Sequence, residues 1–103
     1  MTVSYSPEAR EDLREELDYL DERSQEAAIN LSEQLDKVIN DLAAGAFDGT
    51  TQQLTTGEVV QSWPVGSLRV IYQRREEVFY IVRIYHQARR PITLSPMTRR
   101  PKK

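Results

Sequence analysis

The residues whose types and spacing could do chemistry gather late in this chain. Arg69, the single histidine (His86), Arg89 and Arg90 fall in one stretch, with Tyr72 and Tyr85 close by in sequence. A guanidinium fork grips phosphate with paired hydrogen bonds, and an imidazole exchanges a proton near neutral pH. If the runs either side of Arg74-Arg75-Glu76-Glu77 pair as antiparallel strands, Arg69 lies near the end of the ladder that His86 reaches. Such a group is sufficient in principle to cleave RNA by attack of its own 2′-hydroxyl. A blander reading explains the same residues: Arg69 pairs with helix carboxylates, and His86 hydrogen-bonds backbone at a strand end. On spacing alone the blander reading is favoured.

Other chemistries are thinly supplied. The chain has no cysteine and one histidine, which argues against most transition-metal sites, thiolate nucleophiles and a conventional histidine triad. The four glycines are scattered over turns and form no phosphate loop. Acidic residues are abundant, but on helical stretches where solvent is their default. No cofactor and no metal are expected.

The elements that must position those residues follow from periodicity. At 103 residues with 39% hydrophobic and 29% charged residues, the chain suits one domain with one core. Val3 to Tyr5 reads as a short strand. Ser6-Pro7-Glu8 is a helix start: a capping hydroxyl, a proline at the first helical position and an acid at the positive end of the dipole. Ala9, Leu13, Leu17 and Leu20 then draw one apolar stripe. After a polar break at Asp21 to Ser24, Ala28, Leu31, Leu35, Val38, Ile39 and Leu42 repeat at helical spacing, ending at Gly45, suited to a left-handed C-cap. So short a link predicts an antiparallel helical hairpin.

The second half reads as strands. Gln52 to Thr55 is a weak candidate, Val59 to Trp63 a better one, with turns at Thr56-Gly57-Glu58 and Pro64 to Ser67. Leu68 to Gln73 places Leu68, Val70 and Tyr72 on one side and Arg69 and Ile71 on the other. Val78 to Tyr85 is apolar on both faces apart from Arg83, as expected of a central strand. The expected fold is α+β: a helical hairpin packed on a mainly antiparallel sheet of four to five strands. One domain is expected over residues 1–92, with 93–103 a basic, flexible tail. No apolar run is long enough to span a bilayer and no secretory signal is visible, so a cytoplasmic address is expected.

Charge is distributed unevenly. From Met1 to Glu58 there are fourteen acidic residues against four basic; from Val59 to Lys103 there are two against ten. The halves carry about −10 and +8. A basic second half can attract nucleic acid or an acidic protein partner.

In order and spacing these motifs resemble the RelE/ParE superfamily of toxins from bacterial type II toxin–antitoxin systems. Ser6-Pro7-Glu8-Ala9-Arg10-Glu11-Asp12-Leu13 is similar to the family's usual first-helix start. Leu68-Arg69-Val70-Ile71-Tyr72 resembles its tyrosine–arginine–apolar–apolar–tyrosine strand, and Val82 to Arg89 its last strand with a following histidine–glutamine. The resemblance runs from about Val3 to Arg90. It implies one of two activities. RelE-like members cleave mRNA on the ribosome; here Arg69 and His86 would be catalytic. ParE-like members inhibit DNA gyrase; here Arg69, Tyr72, His86, Arg89 and Arg90 would bind the target, with no catalytic residue. Val59 to Trp63 lacks the two lysines that RelE places there, and Gln87 stands at a second RelE arginine. Those departures favour the ParE-like branch. Both branches imply a cognate antitoxin in a heteromeric complex, and the ParE branch a role in plasmid stabilisation or growth arrest.

Overall fold

The computed structural model describes residues 2–86. Strand β1 (Thr2–Tyr5) leads into helix α1 (Pro7–Arg23), followed by α2 (Gln25–Ala43) and strands β2 (Thr50–Gln53), β3 (Val59–Val65), β4 (Leu68–Arg75) and β5 (Val78–His86). The sheet order is β1-β5-β4-β3-β2. The four C-terminal strands form an antiparallel meander, and β1 returns to pair parallel with β5. The expected α+β architecture is therefore the observed one, with five strands.

Capping chemistry sets the helix ends. Ser6 Oγ accepts from the Ala9 N–H at 2.9 Å, and Pro7 occupies the first turn. The expected four-residue break between the helices shrinks to one residue. Ser24 closes α1 by donating its backbone N–H to Leu20 O, and opens α2 by accepting from Ala27 N with its side chain. One serine thus satisfies groups at both helix ends, which is why the hairpin is so tight. Gly45 takes φ 83 just past the end of α2, the left-handed conformation expected of it.

The core lies between the hairpin and one sheet face. Leu35, Ile39 and Leu42 of α2 and Ala9 of α1 pack with Val65, Leu68, Val70, Tyr72, Phe79, Ile81 and Ile84. Along α1 burial falls away from the sheet: Ala9 is fully buried and Leu13 packs at the core's margin, while Leu17 and Leu20 are only half-buried.

Every strand departs a little from the sequence reading: β1 starts one residue earlier, β4 runs on to Arg75, β5 runs on to His86, and β2 and β3 differ more. β2 begins and ends two residues earlier than expected. β3 runs on through Pro64 to Val65, leaving Gly66-Ser67 as a two-residue hairpin with Gly66 at φ 61, a turn that matches strand twist. Pro64 falls beyond Ser62, the last β3 residue paired with β2, a strand-end position where its missing N–H is tolerated.

Candidate target-binding surface

The β4–β5 ladder decides what each candidate residue can do. Leu68, Val70 and Tyr72 face the helices, as do their partners on β5. Leu68 pairs with His86 and Arg69 with Tyr85. Because successive strand residues point to opposite faces, His86 lies on the helix side of the sheet and Arg69 on the side turned away. The two are neighbours along the ladder, yet the sheet stands between their side chains. Arg69 shares its face with Tyr85 and with Ser62 of β3, to whose Oγ it donates at 2.8 Å. The helix carboxylates expected to partner Arg69 belong to the other side.

Tyr72 is a correction to the sequence reading. As a target-binding residue it would need an accessible side chain, but it is 0% exposed. Its ring stacks on Phe79 with centroids 4.7 Å apart. Its hydroxyl donates to Asp48 Oδ1 at 2.7 Å and accepts from the Gly49 N–H at 2.7 Å. Arg74 donates to the same Asp48 oxygen at 2.7 Å and to the Leu42 carbonyl at the end of α2. The network ties the α2–β2 loop to the sheet. Hydrogen bonds from Tyr72 and Arg74 hold the Asp48 carboxyl down at about 2, and burial with the bond to Asp48 pushes the Tyr72 hydroxyl up to about 12.

A β-bulge sets the register near Arg69. Tyr72 pairs with Ile81 but Ile71 with Arg83, so Val82 is an extra residue on β5. It falls where β1 ends and the edge of β5 would be bare. The start of α1 fills that gap. The Ser6 N–H donates to Ile81 O at 2.9 Å and its hydroxyl to Val82 O at 2.7 Å. Asp12 accepts from Arg83 Nε at 2.7 Å, from a second Arg83 nitrogen at 2.9 Å and from the Ile84 N–H at 3.0 Å. The hydrogen bonds to Asp12, and then its charge, raise the Arg83 pKa above its ordinary value.

Arg89, Arg90 and the expected 93–103 tail lie outside the described residues, as does the end of the expected 1–92 domain. A shallow cleft of about 660 Å³ opens near β2, lined in part by Val59, Gln61, Arg74 and Arg75; it includes neither Arg69 nor His86. Among the described residues no group of histidines and carboxylates could hold a metal ion, and no helix is long and apolar enough to cross a membrane. The sequence reading gave Asp48 and Gly49 no part beyond marking the loop from Ala46 to Thr50, and it did not pair Tyr85 with Arg69. Asp48-Gly49 was legible as a turn, but its contact with a tyrosine far along the chain was not.

The family model described as "ParE toxin of type II toxin-antitoxin system, parDE" matches residues 3–91, nearly the whole chain. This chain belongs to the ParE toxin family. The match spans both helices and all the strands that build the Arg69 face. A chain of the solved structure titled "Chromosomal ParDE TA system from P. aeruginosa" has a similar fold, with a TM-score of 0.64 at 17% identity, covering 84% of this chain and 95% of that one. No curated protein matches the ParE-family chain in sequence.

Proposed function

We propose that this chain is the toxin of a type II toxin–antitoxin pair and acts by binding and inhibiting DNA gyrase in the cytoplasm. The observation that carries the reading is the placement of Arg69 and His86 on opposite faces of the sheet, so the two cannot act as a pair on one phosphate. That favours inhibition by binding over cleavage. Arg69, held by Ser62 beside Tyr85, is the residue on which target binding turns, with His86, Arg89 and Arg90 near the same chain end. A cognate antitoxin neutralises the toxin, a pairing supported by the toxin–antitoxin title of the similar structure. Plasmid stabilisation and growth arrest follow from such a pair.

The test is a side-by-side assay of purified protein. Supercoiling by gyrase is expected to be blocked while ribosome-bound mRNA stays intact, and Arg69→Ala is expected to lose the block while staying folded. Normal supercoiling at saturating protein would refute the reading, and cleaved mRNA would replace it with the ribonuclease one.

A further inference from the structure

The sheet has a second buried patch that the helices do not account for. An antiparallel sheet with one solvated face alternates buried with exposed residues. β4 does not: Val70, Ile71 and Tyr72 follow one another and are all 0% exposed. Val70 and Tyr72 belong to the core shared with the helices, but Ile71 does not, and neither does Val60. Register and alternation place Ile71, Ser62 and Val60 on the face turned away from the hairpin, with Ser62 across from Ile71 and Val60 across from Gln52. Ser62 and Val60 are as deeply buried as Ile71. The buried Oε1 of Gln52 finds no donor among the described residues. Burial this complete needs a layer on top. The two described helices lie on the other side, and every other described element is a strand of the sheet itself.

The end of the chain has the reach and the chemistry to supply that layer. β5 stops at His86, across from Leu68 and next to Arg69 at one corner of the sheet. Between Arg89-Arg90 and Arg99-Arg100, the segment Pro91-Ile92-Thr93-Leu94-Ser95-Pro96-Met97-Thr98 carries no charge. An uncharged segment suits a patch that has Arg69 and Arg83 at its margin. Ile92 and Leu94 are spaced to present both side chains on one face of an extended chain. At about 3.3 Å per residue and about 4.8 Å between strands, Ile71 lies about 11 Å from His86 and Val60 about 19 Å. Ile92 can extend about 20 Å from His86 and Leu94 about 26 Å, so both arrive with slack for the chain to reverse. A second copy fits less well, because two copies of this face would bring their arginines together.

We propose that residues 91–98 cross this face as a strap, with Ile92 on Ile71, Leu94 on Val60 and a backbone N–H of the segment donating to Gln52. The expected basic tail then shortens to the residues from Arg99 onward. A target approaching from this side meets the strap and its flanking arginines instead of bare sheet, whichever target that is. The test is NMR of the unaltered full chain, in a sample that mixes isotope-labelled with unlabelled copies to separate contacts within a chain from contacts between chains. Methyl NOEs within one chain are expected from Ile92 and Leu94 to Ile71 and Val60. A thiol gives the second readout, because the chain has no cysteine of its own. The Ser62→Cys thiol is expected to react with a disulfide reagent roughly a hundredfold more slowly than the Thr51→Cys thiol on the exposed edge strand. Adding Leu94→Asp is expected to speed the Ser62→Cys reaction roughly tenfold, while leaving a Val70→Cys thiol on the helix side protected. If both thiols are released together, the substitution has unfolded the chain and the NOEs, which need no substitution, decide. The proposal is overturned if Ile92 and Leu94 show no NOE to the sheet, or if Leu94→Asp leaves the Ser62→Cys thiol as protected as before. NOEs that run between copies also overturn it, making this face a dimer interface.

Discussion

A β-carbon on Gly49 would stand 2.0 Å from the Ser62 carbonyl oxygen and 3.0 Å from the Tyr72 hydroxyl. The glycine is needed for this close approach of loop to strand, since its φ is not in the left-handed region. Gly49→Ala must push the loop off β3 and break the Asp48–Tyr72–Arg74 network with it, so a loss of about 3 kcal/mol is expected in urea denaturation. Tyr72→Phe keeps the ring stack but removes one acceptor and one donor, and is expected to cost about 1–2 kcal/mol. The same network gives the protein two pH limits. The Asp48 carboxyl is depressed on folding, so its contribution is present above the ordinary carboxylate range and is lost as pH falls toward about 2. The Tyr72 hydroxyl is raised, so its contribution is full below pH 10 and is lost as pH rises toward about 12. Tyr72→Phe is expected to flatten the alkaline limb in that window; an unchanged limb would assign it to another group, such as Tyr5, whose hydroxyl burial also raises.

At the scale of elements, the bulge at Val82 is the feature on which the candidate surface depends. The two-residue turn Glu76-Glu77 sets Arg75 opposite Val78. Carried down the ladder unbroken, that register would put Arg69 opposite Ile84 and leave Tyr85 opposite Leu68. The extra residue shifts everything beyond Ile71 by one, so Arg69 meets Tyr85 and His86 meets Leu68. Asp12 holds the shift in place through Arg83 and the Ile84 N–H. Asp12→Ala leaves a half-buried guanidinium and a strand N–H unsatisfied. A loss of about 2 kcal/mol is expected, with faster hydrogen exchange at Ile84, while Asp12→Asn, which keeps an acceptor, loses less. Glu76 takes φ 55 in the turn, a left-handed conformation costly for a residue with a β-carbon. Glu76→Gly is accordingly expected to gain about 0.5 kcal/mol, the relief being partly offset by glycine's greater unfolded-state freedom. These cases also show what could be read in advance. Both helices, the cap at Ser6 and the central strands were legible, because the signal for each lies within a few residues. The face of His86 was not, because it depends on a bulge that nothing in Val78 to Tyr85 announces and that is held by a carboxylate some seventy residues away. Tyr72 was misjudged for a related reason: only the folded loop shows that Asp48 and Gly49 enclose its hydroxyl.

Across the whole molecule, the uneven charge of the two sequence halves becomes a polarity across the sheet: acidic helices on one side, Arg69 and Arg75 on the other. How far each side feels the other depends on salt. The outward faces of the helices lie more than one helix diameter, about 10–12 Å, from the Arg69 face. The Debye length is about 30 Å at 0.01 M salt and about 8 Å at 0.15 M. The attraction between the two sides therefore reaches through the molecule at low salt and is screened at physiological salt, as is the repulsion among the helix carboxylates themselves. Glu22, Glu26 and Glu33 are exposed on the helices, so their joint replacement by glutamine changes charge with little change in packing. Relieved of part of that repulsion, the triple variant is expected to be more stable than the unaltered chain in urea denaturation at about 0.01 M salt, and the gain to shrink at about 0.15 M. A gain of the same size at both salts would mean that the substitutions act through local helix propensity instead of charge, and a loss at low salt would mean that these glutamates are held by attraction to the basic side of the sheet.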